Sequence, residues 1–325
     1  MRILIIGGGG FLGQKIARSL AASGRLRGQP IARLMLADLA QPATVEAGFP
    51  VATSLLDITD PIQTSQLIAE GWDVIFHLAA VLSGQSEAEF DLGMTVNLTG
   101  SQNVFSAARA LGTCPIVVFS STLAVYGGEM PTPIEDWFMT NPQNSYGAAK
   151  AMAELLLTDM SRKGFIDGRG PRLPTISIRP GKPNAAASSF MSSIFREPLQ
   201  GQEARCPVSP DYMHYYLSPR RCVDNLIHAA EIDGGDLGMN RCFVLPGRTH
   251  RLGDMVESMR RIAGDTPCKL INWERDPEIE AIVLKWVSHL NPAKALALGF
   301  KSDESFEDNL RFFLEEDIEH ERSPS

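Results

Sequence analysis

Ile3-Leu4-Ile5-Ile6-Gly7-Gly8-Gly9-Gly10-Phe11-Leu12-Gly13 stands near the start of the chain, and its reading decides the fold. Four consecutive apolar residues that stop at glycine describe a strand buried on both faces, not an alternating surface strand. Past the glycines, Leu12, Ile16 and Leu20 recur at helical spacing, and Gly24 closes the helix. The glycines satisfy two registers, Gly8-x-Gly10-x-x-Gly13 and Gly7-x-x-Gly10-x-x-Gly13. Either one permits a tight strand-to-helix turn, close approach of backbone to a pyrophosphate, and placement of that charge at a helix N-terminus. Gly7, Gly10, Phe11, Leu12 and Gly13 are therefore expected to hold a dinucleotide.

The alternation continues downstream. Leu34–Ala37 reads as a strand ending at Asp38, and a third strand precedes Asp57 and Ile58. Val74–Leu78, Ile116–Phe119 and Ile176–Arg179 read as further strands, with helices expected over 87–111 and 144–163. Strands alternating with helices imply an α/β protein, a Rossmann-type doubly wound parallel sheet with right-handed crossovers. After residue 180 the rhythm breaks at Pro180, Pro183, Pro198, Pro207, Pro210 and Pro219. A helix returns over 222–231, a strand over 242–246, and Phe306, Leu310 and Phe313 mark a last amphipathic segment. The expected organisation is a cofactor domain over 1–180, rejoined by about 221–232, and a smaller, mostly helical C-terminal substrate lobe assembled from discontinuous parts of 181–325.

Asp38 at a strand end can accept hydrogen bonds from ribose hydroxyls and repels a 2′-phosphate. Its neighbours Leu39 and Ala40 offer no arginine to such a phosphate, so the cofactor expected is NAD, not NADP. Asp57 and Ile58 are placed to border the adenine, although a plain turn aspartate fits the pattern as well.

Ser145-Tyr146-Gly147-Ala148-Ala149-Lys150 puts a phenol and an ammonium one helical turn apart on the same face. A free phenol titrates near ~10. A nearby ammonium and a cationic cofactor ring favour the phenolate and bring it toward use as a base. Thr122, at the end of Ser120-Ser121-Thr122, offers a hydroxyl to hold a substrate oxygen. A formal net charge of −8 argues against nucleic acid, which asks for a clustered basic surface, yet leaves room for a small anionic substrate. Five scattered cysteines without Cys-x-x-Cys read as reduced thiols, and six histidines without metal spacing imply no metal site. No apolar run approaches the ~18 residues of a membrane span, and the start reads as a strand, not a targeting segment, so the cytoplasm is expected.

Gly7-x-x-Gly10-x-x-Gly13, Asp38, His77-Leu78-Ala79-Ala80, Asn97, Ser120-Ser121-Thr122-x-x-x-Tyr126-Gly127 and Tyr146-x-x-x-Lys150 resemble the extended short-chain dehydrogenases/reductases of the nucleotide-sugar epimerase type. The resemblance implies that Thr122 replaces the usual catalytic serine. It makes Tyr146 the acid/base, while Lys150 binds the nicotinamide ribose and tunes the tyrosine. Ala79, Ala80 and Ser83 would line the cofactor. Asn97 would be a kink or relay residue, or simply a satisfied helix asparagine. Dehydratases of this type carry an acidic pair after the hydroxyl, and here Leu123-Ala124 stands there, so dehydration is disfavoured. Pairing of two copies through the helices 87–111 and 144–163 is the family's usual dimer.

Where epimerases of this type have an asparagine after the sixth strand, Arg179-Pro180-Gly181-Lys182-Pro183-Asn184 supplies Lys182. A cation near the tyrosine suits a substrate carboxylate. This run, with Arg196-Glu-Pro-Leu199 and Ser218-Pro-Arg-Arg221, resembles members of the family that oxidise the 2-hydroxyl of a four-carbon sugar acid with NAD. That likeness implies substrate contacts from Ser83, Thr122 and Tyr146. It also implies a carboxylate held by Lys182 and, among others, Arg179, Asn184 or Arg196. A nucleotide-sugar 4-epimerase is the competing expectation.

Overall fold

In a computed structural model of the protein, residues 1–181 and 188–318 are described, so Lys182 and Asn184 lie outside the described residues. Seven parallel strands run side by side in the order β8-β7-β5-β4-β1-β2-β3. They are β1 (Arg2–Ile6), β2 (Arg33–Asp38), β3 (Val51–Leu55), β4 (Val74–His77), β5 (Ile116–Phe119), β7 (Asp167–Leu173) and β8 (Cys242–Val244). A short strand, β6 (Ser121–Thr122), continues beyond β5 and pairs with Arg172 and Leu173 of β7. The order reverses beside β1, and the carboxyl ends there are where an α/β sheet offers a ligand crevice.

The apolar run of β1 is fully buried, Ile3 to Ile6 each at 0% exposure, as a strand covered on both faces requires. Helices α1 (Phe11–Ser23), α2 (Pro61–Ile68), α3 (Ser83–Ala88), α4 (Phe90–Met94), α5 (Ser101–Ala110) and α6 (Ser145–Arg162) connect the strands. Leu4, Ile6, Ile75, Phe105, Val117, Phe119, Ala153 and Leu157 belong to one core cluster.

Two expectations need correction. The helix read over 87–111 is interrupted: α3 and α4 are short, Thr95–Gly100 forms a π-helical turn, and only α5 continues regularly. Asn97 explains the wider turn, because its side chain leaves the helix to bond Val81 and Ser86. The sixth sheet strand is β7, Asp167–Leu173, not Ile176–Arg179. Thr175–Ile176 instead pairs with Tyr216–Leu217 in a separate three-stranded sheet.

The chain divides into two compact units. The first comprises 1–126, 140–173 and 223–244, and the second 127–139, 174–222 and 245–325. The second unit's core gathers Phe190, Phe195, Tyr212, Tyr216, Phe306 and Phe313, with helices Phe190–Leu199, Leu252–Ala263 and Phe306–Phe313 and several small sheets.

Candidate active site

β1 delivers the chain into the glycine turn, whose first two N–H groups donate to Ala37 O of β2 at 2.8 and 3.0 Å, from Gly7 and Gly8. Gly7 takes φ +87°, and a Cβ on Gly13 would lie 2.2 Å from Gly7 O. The turn is thus closed onto the first helical turn more tightly than any side chain allows. Gly10 caps α1 without a side-chain hydrogen bond, and the first turn holds no acidic residue. A helix start leaves its first N–H groups without intrahelical partners. Phe11, Leu12 and Gly13 therefore open a cradle that fits a pyrophosphate.

Asp38 sits at the end of β2, where Gly9 N–H donates to its Oδ2 at 2.9 Å and Leu39 N–H to its Oδ1 at 2.7 Å. It braces the glycine turn and remains only half-buried, with acceptor capacity to spare. Asp57 is turned inward, since its Oδ1 accepts from the Thr59 N–H and hydroxyl at 2.9 and 2.7 Å. Ile58 is a core side chain, 5% exposed, packed where Gly100 passes. Ala79 and Ala80 follow β4 and are half-buried, and Ser83, first in α3, is exposed.

Asn97 is fully buried: Oδ1 accepts from Val81 N–H at 2.9 Å, and Nδ2 donates to Val81 O and Ser86 Oγ, both at 3.0 Å. Its side chain ties down residues 81–86.

β6 and α6 bring the hydroxyl, phenol and ammonium together. Asn144 starts α6 by accepting from Gly147 N–H at 2.8 Å. At Gly147 a Cβ would lie 2.0 Å from Ala124 O, so the helix start abuts the turn after Thr122. Burial pushes the Tyr146 phenol up to about 12, against the pull of the Thr122 hydroxyl, which favours the anion. Lys150 is 1% exposed and its Nζ donates to Ser120 O at 2.9 Å, lying 4.4 Å from the Phe119 ring centroid. Burial pulls the ammonium down to about 7, and the Glu154 charge opposes the fall. Without the positive cofactor ring, burial outweighs the Thr122 hydroxyl and keeps the phenol protonated.

In the second unit the two arginines differ. Arg196 is 5% exposed, with Nη2 on Glu197 Oε1 at 2.6 Å and Nη1 on Arg179 O at 2.9 Å. Its charge is paired with that of Glu197. Arg179 has no ion pair among the described residues, and burial together with the Arg196 charge disfavours its own cation. An incoming anion would relieve both penalties. Sequence reasoning missed the buried group formed by Ser121, Glu154, Arg172 and Tyr126. Its one legible signal is that Glu154 continues the Tyr146, Lys150 face by a further turn. Among the described residues, no cluster could hold a metal ion and no helix is long and apolar enough to cross a membrane.

Residues 3–213 match the NAD dependent epimerase/dehydratase family. The chain is 48% identical over 321 residues to a D-erythronate dehydrogenase of Cupriavidus necator, covering 97% of this chain and 98% of that one. It is 41% identical over 318 residues to a D-erythronate dehydrogenase of Haemophilus influenzae, covering 98% and 100%. Among solved structures it resembles one described as a nucleoside-diphosphate-sugar epimerase from Agrobacterium tumefaciens, at TM-score 0.94 and 43% identity over 98% of this chain and 95% of that one.

Proposed function

The chain belongs to the NAD-dependent epimerase/dehydratase family, and from that premise we propose that it oxidises the 2-hydroxyl of a small sugar acid, D-erythronate, to the 2-oxo acid. It is an NAD-dependent enzyme. The observation that carries the substrate is the near-full-length similarity to two proteins named for that reaction, which runs through both units rather than through the cofactor half alone.

The glycine turn fits NAD: an uncapped helix start faces the pyrophosphate position, and Asp38 stands at the strand end for the ribose. When bound, oxidised NAD supplies the hydride acceptor and a positive ring. Tyr146 receives the proton of the substrate hydroxyl as the carbon-bound hydrogen leaves with its electron pair. Thr122, whose hydroxyl favours the phenolate, orients the hydroxyl oxygen. Lys150, fixed by Ser120 O, holds the ribose side and donates its charge to the ionised phenol. Arg179, the cation without an ion pair among the described residues, takes the carboxylate, with Lys182 as the sequence-level second candidate.

The description of the Agrobacterium structure favours a second reading, in which the hydride returns to the opposite face of a nucleotide sugar. Purified protein mixed with NAD⁺ and D-erythronate should produce NADH absorbance. Absence of turnover with any four- or five-carbon aldonate, with conversion of a UDP-hexose, would replace the first reading by the second. Two copies are proposed to pair through α6 and the 83–110 helices, where Leu155 and Phe90 are 72% and 58% exposed. A monomer in sedimentation would withdraw that.

A further inference from the structure

We propose that Glu154 is a positioning residue: a buried carboxylate that locks the Ser120–Thr122 strand end against the helix face carrying Tyr146 and Lys150. The proposal rests on the reading of Tyr146 as the proton acceptor. Tyr146, Lys150 and Glu154 follow one another at successive turns of α6. Glu154 is 4% exposed. Its Oε1 accepts from the Ser121 hydroxyl and from Arg172 Nε at 2.9 Å, and its Oε2 from Arg172 Nη2 at 2.6 Å. Arg172 Nη1 donates in turn to Tyr126 OH at 2.6 Å. Arg172 and Ser121 are register partners in adjacent strands, so the carboxylate bridges the helix to both β6 and β7.

The consequence is a strand end fastened at each residue. Ser120 O takes the Lys150 ammonium, Ser121 Oγ binds Glu154, and Thr122 Oγ1 accepts from Ala124 N–H at 3.1 Å. Removing Glu154 frees the middle fastening and leaves Arg172 as an unanswered buried cation. A buried ion pair is seldom more stabilising than apolar side chains of equal volume. This pair stands one turn beyond Lys150 and beside the Thr122 strand, where a displacement of ~1 Å can cost on the order of 100-fold in rate.

The groups facing Lys150 are Tyr146 and Glu154 from its own helix, and His77, Phe119 and Ser120 from β4, β5 and the link to β6. Glu154 is the anion among them, and its charge sustains the ammonium against burial.

The test compares wild type with Glu154→Asp, Glu154→Gln and Glu154→Gln/Arg172→Met. Kinetics with D-erythronate, NADH binding, thermal melting and amide hydrogen exchange over 116–126 and 2–13 are followed. The double variant carries no unpaired buried charge, so it should melt near wild type and bind NADH unchanged. Its kcat should fall on the order of 10- to 100-fold with KM within about threefold, and exchange at 120–124 should rise while 2–13 stays protected. Glu154→Asp keeps the charge but shortens the reach, and should lose about tenfold in kcat without a change in melting. A folded double variant with wild-type kcat and wild-type protection at 120–124 would reduce the pair to fold maintenance. Should the double variant not fold, undiminished kcat in Glu154→Asp overturns the proposal. Should wild type itself oxidise no sugar acid, the substrate reading falls separately, and unchanged exchange at 120–124 in the variants still overturns the positioning role.

Discussion

Gly13→Ala should weaken NADH binding on the order of 10- to 100-fold. The new Cβ would stand 2.2 Å from Gly7 O and 2.9 Å from Gly8 Cα, both backbone atoms. An ordinary carbon–oxygen contact is about 3.3 Å, so roughly 1 Å of movement is demanded. Neither side can yield it cheaply. Gly7 and Gly8 are held by Ala37 O at 2.8 and 3.0 Å, and Gly7 packs against the Ala79 backbone. The relief must come from tilting the first turn of α1, which swings its N–H groups off the pyrophosphate. Losing one or two hydrogen bonds to a charged group costs about 1.5–3 kcal/mol each, and about 1.4 kcal/mol is tenfold in affinity. Fluorescence titration with NADH reads the loss, and thermal melting without cofactor separates it from unfolding. Gly48→Ala is the control, because nothing lies within 4 Å of a Cβ there. Binding by a folded Gly13→Ala within threefold of wild type would refute the placement of the pyrophosphate on this turn.

Tyr146→Phe should lower kcat by about 10²- to 10⁴-fold and leave NADH affinity unchanged; substantial residual turnover would remove the phenol from proton transfer. Arg179→Met should raise KM for the sugar acid far more than for NAD⁺, and an equal effect on both would point to misfolding instead. The cofactor-free protein should lose stability between pH 7 and pH 5. Burial holds His77 and His214 down at about 3, whereas the unfolded residues titrate near 6.5. The unfolded chain therefore binds the extra protons in that window, so the stability is complete above ~6.5 and declines as the pH falls. Two such groups amount to about 4 kcal/mol at pH 5, and a urea midpoint unchanged from pH 7 would refute their burial.

Much of the cofactor half was legible because its signals are periodic and local. The run Ile3–Ile6, the glycine spacing and the Tyr146, Lys150 pair each lie within a few residues, where strand and helix geometry fix the outcome. β7 was not legible. Asp-Gly-Arg-Gly-Pro-Arg-Leu has no apolar run, yet it is a central strand, paired to β5 on one side and β8 on the other. Its arginines are buried because polar partners arrive from elsewhere: Arg169 donates to Ile232 O at 3.1 Å, and Arg172 meets Glu154. Ile176–Arg179 has the better strand composition and misled for that reason. Hydrophobic pattern reports burial by apolar contact and is silent where burial is achieved by ion pairing.

The same blindness governs which cations are free to bind a substrate. Arg179 and Arg196 both follow an apolar stretch and look equivalent in sequence. The difference is made by Glu197, adjacent in the chain and buried with Arg196 at 2.6 Å, and by the bond from Arg196 Nη1 to the Arg179 carbonyl at 2.9 Å. Arg196 therefore serves Arg179 twice. It pins the Arg179 backbone, and its charge makes the neighbouring guanidinium more costly to leave without an anion. Arg179 therefore keeps a burial and repulsion penalty with no ion pair among the described residues to offset it, whereas Arg196 is paired with Glu197.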